Sequence, residues 1–98
     1  MEDRKIYLLA EMIVRPEFLD EVKAIAKEAL IPALQEPGCE ALFQTSREDD
    51  RHKFVFFEVF SSAEAHKLHL EQDYTKRFFA ALEGKLAEGP IMTRLNGL

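Results

Sequence analysis

The stretch Phe54-Val55-Phe56-Phe57-Glu58-Val59-Phe60, followed by Ser61-Ser62 and a helical run carrying His66 and His69, decides the fold. Phenylalanine and valine at this density have strand character. A period of two puts Val55, Phe57 and Val59 on one face and Phe54, Phe56, Glu58 and Phe60 on the other. Burying one such Phe contributes about 1.5–3 kcal/mol, so a strand this rich in Phe belongs in the middle of a sheet. An acid between phenylalanines on one strand face, with histidines on the next helix, is also where the chain concentrates its chemistry.

Upstream, residues 40–47 read as a second strand, joined to 53–60 through Glu48-Asp49-Asp50-Arg51-His52, a charged connection suited to a hairpin tip with a solvated His52. Downstream, Ser61 and Glu64 have capping-box spacing and start a helix. Its periodicity weakens at Gln72-Asp73-Tyr74 and resumes with Phe78, Phe79, Leu82 and Leu86, which predicts a bend between two helical pieces. Gly84 is expected to loosen the second piece and Glu88-Gly89-Pro90 to end it, leaving residues 91–95 as a short last strand.

At the other end, residues 5–15 alternate, with Ile6, Leu8, Ala10, Met12 and Val14 facing one way and Tyr7, Leu9, Glu11 and Ile13 the other. Both faces are largely apolar, so both are expected to be covered, one by helices and one by a second subunit. After Pro16, the spacing of Phe18, Val22, Ile25, Ala26, Ala29, Leu30, Ala33 and Leu34 predicts an amphipathic helix, with acid in its first turns where the dipole favours it. Pro32 is expected to kink or shorten its last turn, and Glu36-Pro37-Gly38-Cys39 to stop it.

The order β-α-β-β-α-β predicts an α+β, ferredoxin-like sandwich with helices on one face of a four-stranded antiparallel sheet. The apolar face left over predicts a homodimer with sheets packed face to face, a dimeric α+β barrel. At 98 residues the chain is one domain, 1–98, near the size at which one core is adequate. The net charge of −5, with basic residues scattered among acidic ones, argues against nucleic acid as a partner. No apolar run is long enough to span a bilayer. The mixed-charge start at Met1-Glu2-Asp3-Arg4-Lys5 does not read as a leader peptide, so a cytoplasmic location is expected. Cys39 is the only cysteine, which precludes an internal disulfide and a thiolate cluster and suits a small buried apolar role.

At Glu36-Pro37-Gly38-Cys39, at Phe57-Glu58-Val59-Phe60 and at His69-Leu70 the chain resembles the antibiotic biosynthesis monooxygenase (ABM) superfamily, which includes small quinol monooxygenases. The resemblance covers nearly the whole chain. Phe60 stands where many members carry Trp, and Tyr74-Thr75 where many carry a second His-Phe pair. The haem-degrading branch is expected to carry a Trp and a later histidine ligand. This chain has no Trp and no histidine after His69, so haem is not expected. The end, Arg94-Leu95-Asn96-Gly97-Leu98, is similar to that of the autoinducer-2 processing branch, whose activity is an isomerisation without oxygen.

The resemblance implies a cofactor-independent monooxygenase whose partners are molecular oxygen and a small phenolic, quinol or polyketide-like substrate. His69 would remove a proton in an apolar cavity, since imidazole titrates near neutrality. Glu58 is expected either to form an ion pair across the dimer or to act beside His69 as an acid, base or orienting group. Tyr74 is expected to donate its hydroxyl to a substrate oxygen or to cap the helix break. Phe56 and Phe60 are candidate pocket walls. His66, His69 and Asp73 have the i, i+3, i+7 spacing of metal ligands, but no second helix contributes histidine, and no metal is expected. Flavin and nicotinamide have no visible anchor, so no cofactor is expected. Two other readings stand beside this one. One is an isomerase of a small oxygenated metabolite, using His69 with Glu58 or Tyr74. The other is a non-catalytic ligand-binding dimer, favoured by the missing Trp and second His.

Overall fold

A computed structural model describes residues 4–98. The start Met1-Glu2-Asp3, which carries part of the expectation that no leader peptide is present, lies outside the described residues. The elements are β1 (Ile6–Val14), α1 (Leu19–Gln35), β2 (Cys39–Ser46), β3 (Lys53–Phe60), α2 (Ala63–Glu71), α3 (Asp73–Ala81) and β4 (Leu86–Leu95). The strands form one sheet in the order β2-β3-β1-β4, with antiparallel neighbours throughout. This is the expected ferredoxin-like α+β architecture, and β3 is internal, as its phenylalanines require.

The register places Leu42, Glu58, Leu8 and Arg94 in one row across the sheet, and Gln44, Phe56, Ala10 and Met92 in the next. These rows belong to the face covered by helices. Under the helices, Ala10, Met12, Val14, Phe54 and Phe56 pack with Leu19, Val22, Ala26 and Leu82. A second cluster of Ile6, Leu8 and Phe60 carries Cys39 and Ala65. Cys39 is half-buried, and burial pushes its thiol above the ordinary range, with Glu36 and Glu58 adding to the effect. The other sheet face is open. Phe43 and Ile91 are 59% and 50% exposed there, while Tyr7, Leu9, Val55 and Phe57 are half-buried.

Several local expectations are corrected. Pro32 lies inside α1, which continues to Gln35. The proline is near enough to the C-terminal end that the helix absorbs the missing donor. Pro16 opens a single 3-10 turn, Pro16–Phe18, and α1 follows from Leu19. Ser62, not Ser61, caps α2, its Oγ accepting from the Ala65 amide at 3.1 Å. The bend between α2 and α3 falls at Gln72, as its weak periodicity predicts.

The largest correction concerns the C-terminal strand. Gly84 has φ +78°, a conformation that ends a helix, and Leu86 begins β4 instead of continuing α3. Glu88-Gly89-Pro90 therefore lies within a strand. β4 is an edge strand, where proline is tolerated, and its register with β1 shifts between Glu11 and Ile13. Gly89, at φ +87°, lies against the β1 backbone, where a Cβ would fall 2.6 Å from the Glu11 carbonyl oxygen. At the hairpin tip His52 is half-buried, its Nδ1 3.5 Å from Asp50, so it is less solvated than expected.

Candidate active site

His69 stands in the last turn of α2, and the turn after α1 determines what it meets. Gly38 packs so closely on α2 that a Cβ there would overlap the Ala65 side chain, and the Ser61 amide donates to the Gly38 carbonyl at 2.8 Å. Only glycine permits this approach. It brings Glu36, at the C-terminal end of α1, to His69, with Nδ1 and Oε2 2.7 Å apart. The Tyr74 hydroxyl donates to the same carboxylate oxygen and lies 3.4 Å from His69 Nδ1. The side chains of His69 and Glu36 are 13% and 14% exposed, so the contact is largely shielded from water.

A carboxylate can only accept, so its contact with Nδ1 selects the tautomer with the proton on Nδ1 and the lone pair on Nε2. The arrangement gives an imidazole oriented by an acid, with one nitrogen left to take a proton. Tyr74 completes that network, and its hydroxyl hydrogen is committed to Glu36 instead of being free for a substrate. Phe60 supports the imidazoles from behind, its ring centre 4.9 Å from that of His69 and 5.2 Å from that of His66.

Between these helices and the sheet lies a narrow apolar cleft. Ala29, Ala33, Leu42, Phe56, Phe78 and Met92 supply apolar walls, and Glu58, His66, His69, Tyr74 and Thr75 supply polar ones. Of the two expected pocket phenylalanines, Phe56 lines the cleft. Phe60 is wholly buried and does not line it.

Glu58 is 8% exposed and faces the helices, not the open sheet face where a facing subunit would pack. Among the described residues its carboxyl has no hydrogen-bond or ion-pair partner. Burial pushes its pKa up, opposed only by His69 when that imidazole is protonated. Thr75 is 3% exposed, and neither its Oγ1 nor His66 Nε2 has a hydrogen-bond partner among the described residues. Burial pushes the His66 pKa down, and the charges of His69 and Arg94 act in the same direction. His66, His69 and Asp73 are not drawn into a ligand set: among the described residues no three His, Cys, Asp or Glu side chains are grouped to hold a metal.

The sequence thus pointed to His69, Glu58, Tyr74 and Phe56, all of which line the cleft, but not to the roles of Glu36 or Thr75. For Glu36 a signal was present: an acid at a helix C-terminus opposes the dipole and needs a reason to be there. Thr75 carried none, since a helical threonine is ordinary until its burial is known.

A family model, antibiotic biosynthesis monooxygenase, matches residues 5–81. No protein of curated function matches the chain significantly. Among solved structures, a Nitrosomonas europaea protein assigned as an antibiotic biosynthesis monooxygenase superposes with a TM-score of 0.92 at 16% identity, over 100% of this chain and 94% of that one. A Caulobacter crescentus protein with the same assignment gives 0.92 at 24%, over 98% and 92%. A Mycobacterium tuberculosis protein gives 0.91 at 21%, over 97% and 96%. At these identities the likeness shows the fold alone, and the family model supplies the rest: this chain belongs to the antibiotic biosynthesis monooxygenase family.

Proposed function

We propose that the protein is a cofactor-independent monooxygenase of a small phenolic, quinol or polyketide-like molecule. The observation that carries this reading is His69, oriented by Glu36 on the wall of an apolar cleft. A ring hydroxyl, or a carbon acid beside a carbonyl, enters the cleft and gives its proton to His69 Nε2. The resulting electron-rich anion reacts with molecular oxygen, and the substrate itself supplies the electrons. The protein contributes proton transfer, orientation and exclusion of water. Glu36 offsets the positive charge that forms on the imidazole, and the apolar walls shield the anion from proton return. The working form is a homodimer built through the open sheet face, acting in the cytoplasm.

The test is oxygen consumption by metal-stripped protein against a panel of quinols and anthrone-like phenols, with His69→Ala alongside. Uptake that depends on His69 is expected. Uptake unaffected by His69→Ala would remove the base assigned here. Conversion without oxygen uptake would transfer the chain to the isomerase reading, and binding without turnover would make it a ligand-binding dimer.

A further inference from the structure

Two side chains on the cleft wall are more than nine-tenths buried, Glu58 on β3 and Thr75 in the first turn of α3. Thr75 Oγ1 is fully enclosed without a hydrogen-bond partner among the described residues, and the Glu58 carboxyl, which still touches the open space of the cleft, forms no hydrogen bond or ion pair among them. Polar groups left unpaired in such a setting are unfavourable unless a bound molecule completes them. The network around His69 does not use either group. Its hydrogen bonds run from His69 and Tyr74 to Glu36. Of the other polar wall residues, Gln44 donates to the Ala26 carbonyl at 2.7 Å, and His66, with its Nε2 also unpartnered among the described residues, is less deeply buried than Glu58 or Thr75. No lysine or arginine lines the cleft.

The geometry points to Glu58 as a neutral carboxylic acid that, with the Thr75 hydroxyl, donates hydrogen bonds to the substrate oxygen on which negative charge develops. This inference rests on the reading of His69 as the base. The proton leaving the substrate goes to His69 Nε2, the electron pair it leaves behind is delocalised onto the substrate oxygen, and Glu58 keeps its own proton throughout. Donors aimed at a developing oxyanion in a water-poor site are among the strongest contributions to a rate. A carboxyl group held neutral can serve as such a donor.

The surroundings favour the neutral form. From α2 the titratable groups that share the cleft wall with Glu58 are His66 and His69, and from α3 Tyr74, while Cys39 on β2 is near enough to feel its charge. The one arginine in its row is Arg94, across β1 on the edge strand and exposed. Of these, only His69 acts to ionise Glu58, and burial acts more strongly the other way. Such a cleft selects an uncharged, oxygen-bearing ring compound. It disfavours carboxylate and phosphate, which arrive already charged, have no proton to give His69 and meet no lysine or arginine on the cleft wall.

Two measurements test this on the intact protein. Infrared spectra of the wild type, titrated upward from acid, are expected to retain a protonated-carboxyl band at neutral pH that disappears in Glu58→Gln. Absence of that band in the wild type would overturn the proposal. The second uses 4-nitrophenol, whose phenolate is coloured, with 4-nitrophenyl phosphate as the anionic counterpart. Bound nitrophenol is expected to ionise at lower pH in the wild type than in Glu58→Leu or Thr75→Val, with Glu58→Gln, which still donates, lying close to the wild type. Identical ionisation in all four proteins, or equal binding of the phosphate ester, would also overturn the proposal. Where a turnover substrate is in hand, Glu58→Leu is expected to lose about 10²-fold in kcat, the scale for one oxyanion donor, and an unchanged kcat would count against it. Glu58→Leu is expected to fold, since it replaces an unpaired buried acid by an apolar group. A failure of oxygen uptake would remove the monooxygenase reading while leaving the infrared and nitrophenol results to decide this one.

Discussion

The His69 imidazole and the Glu36 carboxylate are separated by thirty-three positions, and that separation explains what the sequence could and could not disclose. Imidazole at His69 and an acid among phenylalanines at Glu58 are local anomalies, visible from residue type and strand period. The partnership of Glu36 with His69, and the burial of Thr75, exist only once helices pack. Replacing Glu36 by Gln keeps the shape but allows the amide to present either a donor or an acceptor to Nδ1, so the tautomer with a free Nε2 is no longer enforced. Turnover of any His69-dependent substrate is expected to fall about 10²-fold or more, the range for a mispositioned general base, with KM little changed. A change confined to KM would make Glu36 a binding group. A buried acid and a half-buried imidazole also give the stability a pH dependence of opposite signs. Glu58 has a raised pKa in the folded state, so its contribution is fully present below its ordinary value of 4.5 and is lost as pH rises through the elevated one. His66 has a lowered pKa, so its contribution is present above its ordinary value of 6.5 and is lost as pH falls through the lowered one. Denaturant unfolding across this range is expected to show wild type losing ground to Glu58→Gln as pH rises, and to His66→Gln as pH falls. Curves that stay parallel would contradict both assignments.

Elements were legible where their periodicity was unbroken and illegible where one pattern served two structures. β1 and β3 follow from strict alternation, and the bend at Gln72 from a lapse in helical spacing. Leu86 misleads because its spacing from Leu82 fits a helix as well as the start of a strand. Only the positive φ at Gly84 separates the two. Gly89-Pro90 misleads because breakers are permitted on an edge strand, and strand order is a tertiary fact. The turn Glu36-Pro37-Gly38-Cys39 reads as a helix stop, which it is, yet its glycine also fixes the distance between the end of α1 and α2. Gly38→Ala would force the turn away from Ala65. Overpacking of this kind costs about 1–3 kcal/mol, and here it also draws Glu36 back from His69. The variant is expected to lose thermal stability and His69-dependent activity together. Ser62→Ala, which removes the α2 cap without moving that turn, is expected to cost about 1 kcal/mol and to leave activity largely intact. Equal activity loss in the two would mean that α2 stability, not the approach at Gly38, positions His69.

On the scale of the molecule, the two sheet faces divide the work. One is closed by helices and holds the cleft. The other leaves Phe43, Ile91 and Leu95 exposed beside half-buried Leu9, Val55 and Phe57. Alternation alone made this second face legible, because β1 and β3 are apolar on both sides, and an isolated sheet needs only one. A monomer has no use for such a surface, and a flat apolar sheet face is suited to a copy of itself about a two-fold axis. Phe57, paired with both Leu9 and Phe43 across the sheet, sits in the middle of the patch. Phe57→Lys would place like charges opposite one another at or near the axis, where they repel and lose hydration. Sedimentation equilibrium is expected to find the wild type dimeric and Phe57→Lys monomeric, with a melting temperature that depends on concentration only in the former. Because the cleft opens on the opposite face, the monomer is expected to retain nitrophenol binding while it loses stability. A monomeric wild type would sink the pairing. A dimer that survives Phe57→Lys would place the contact elsewhere on the surface.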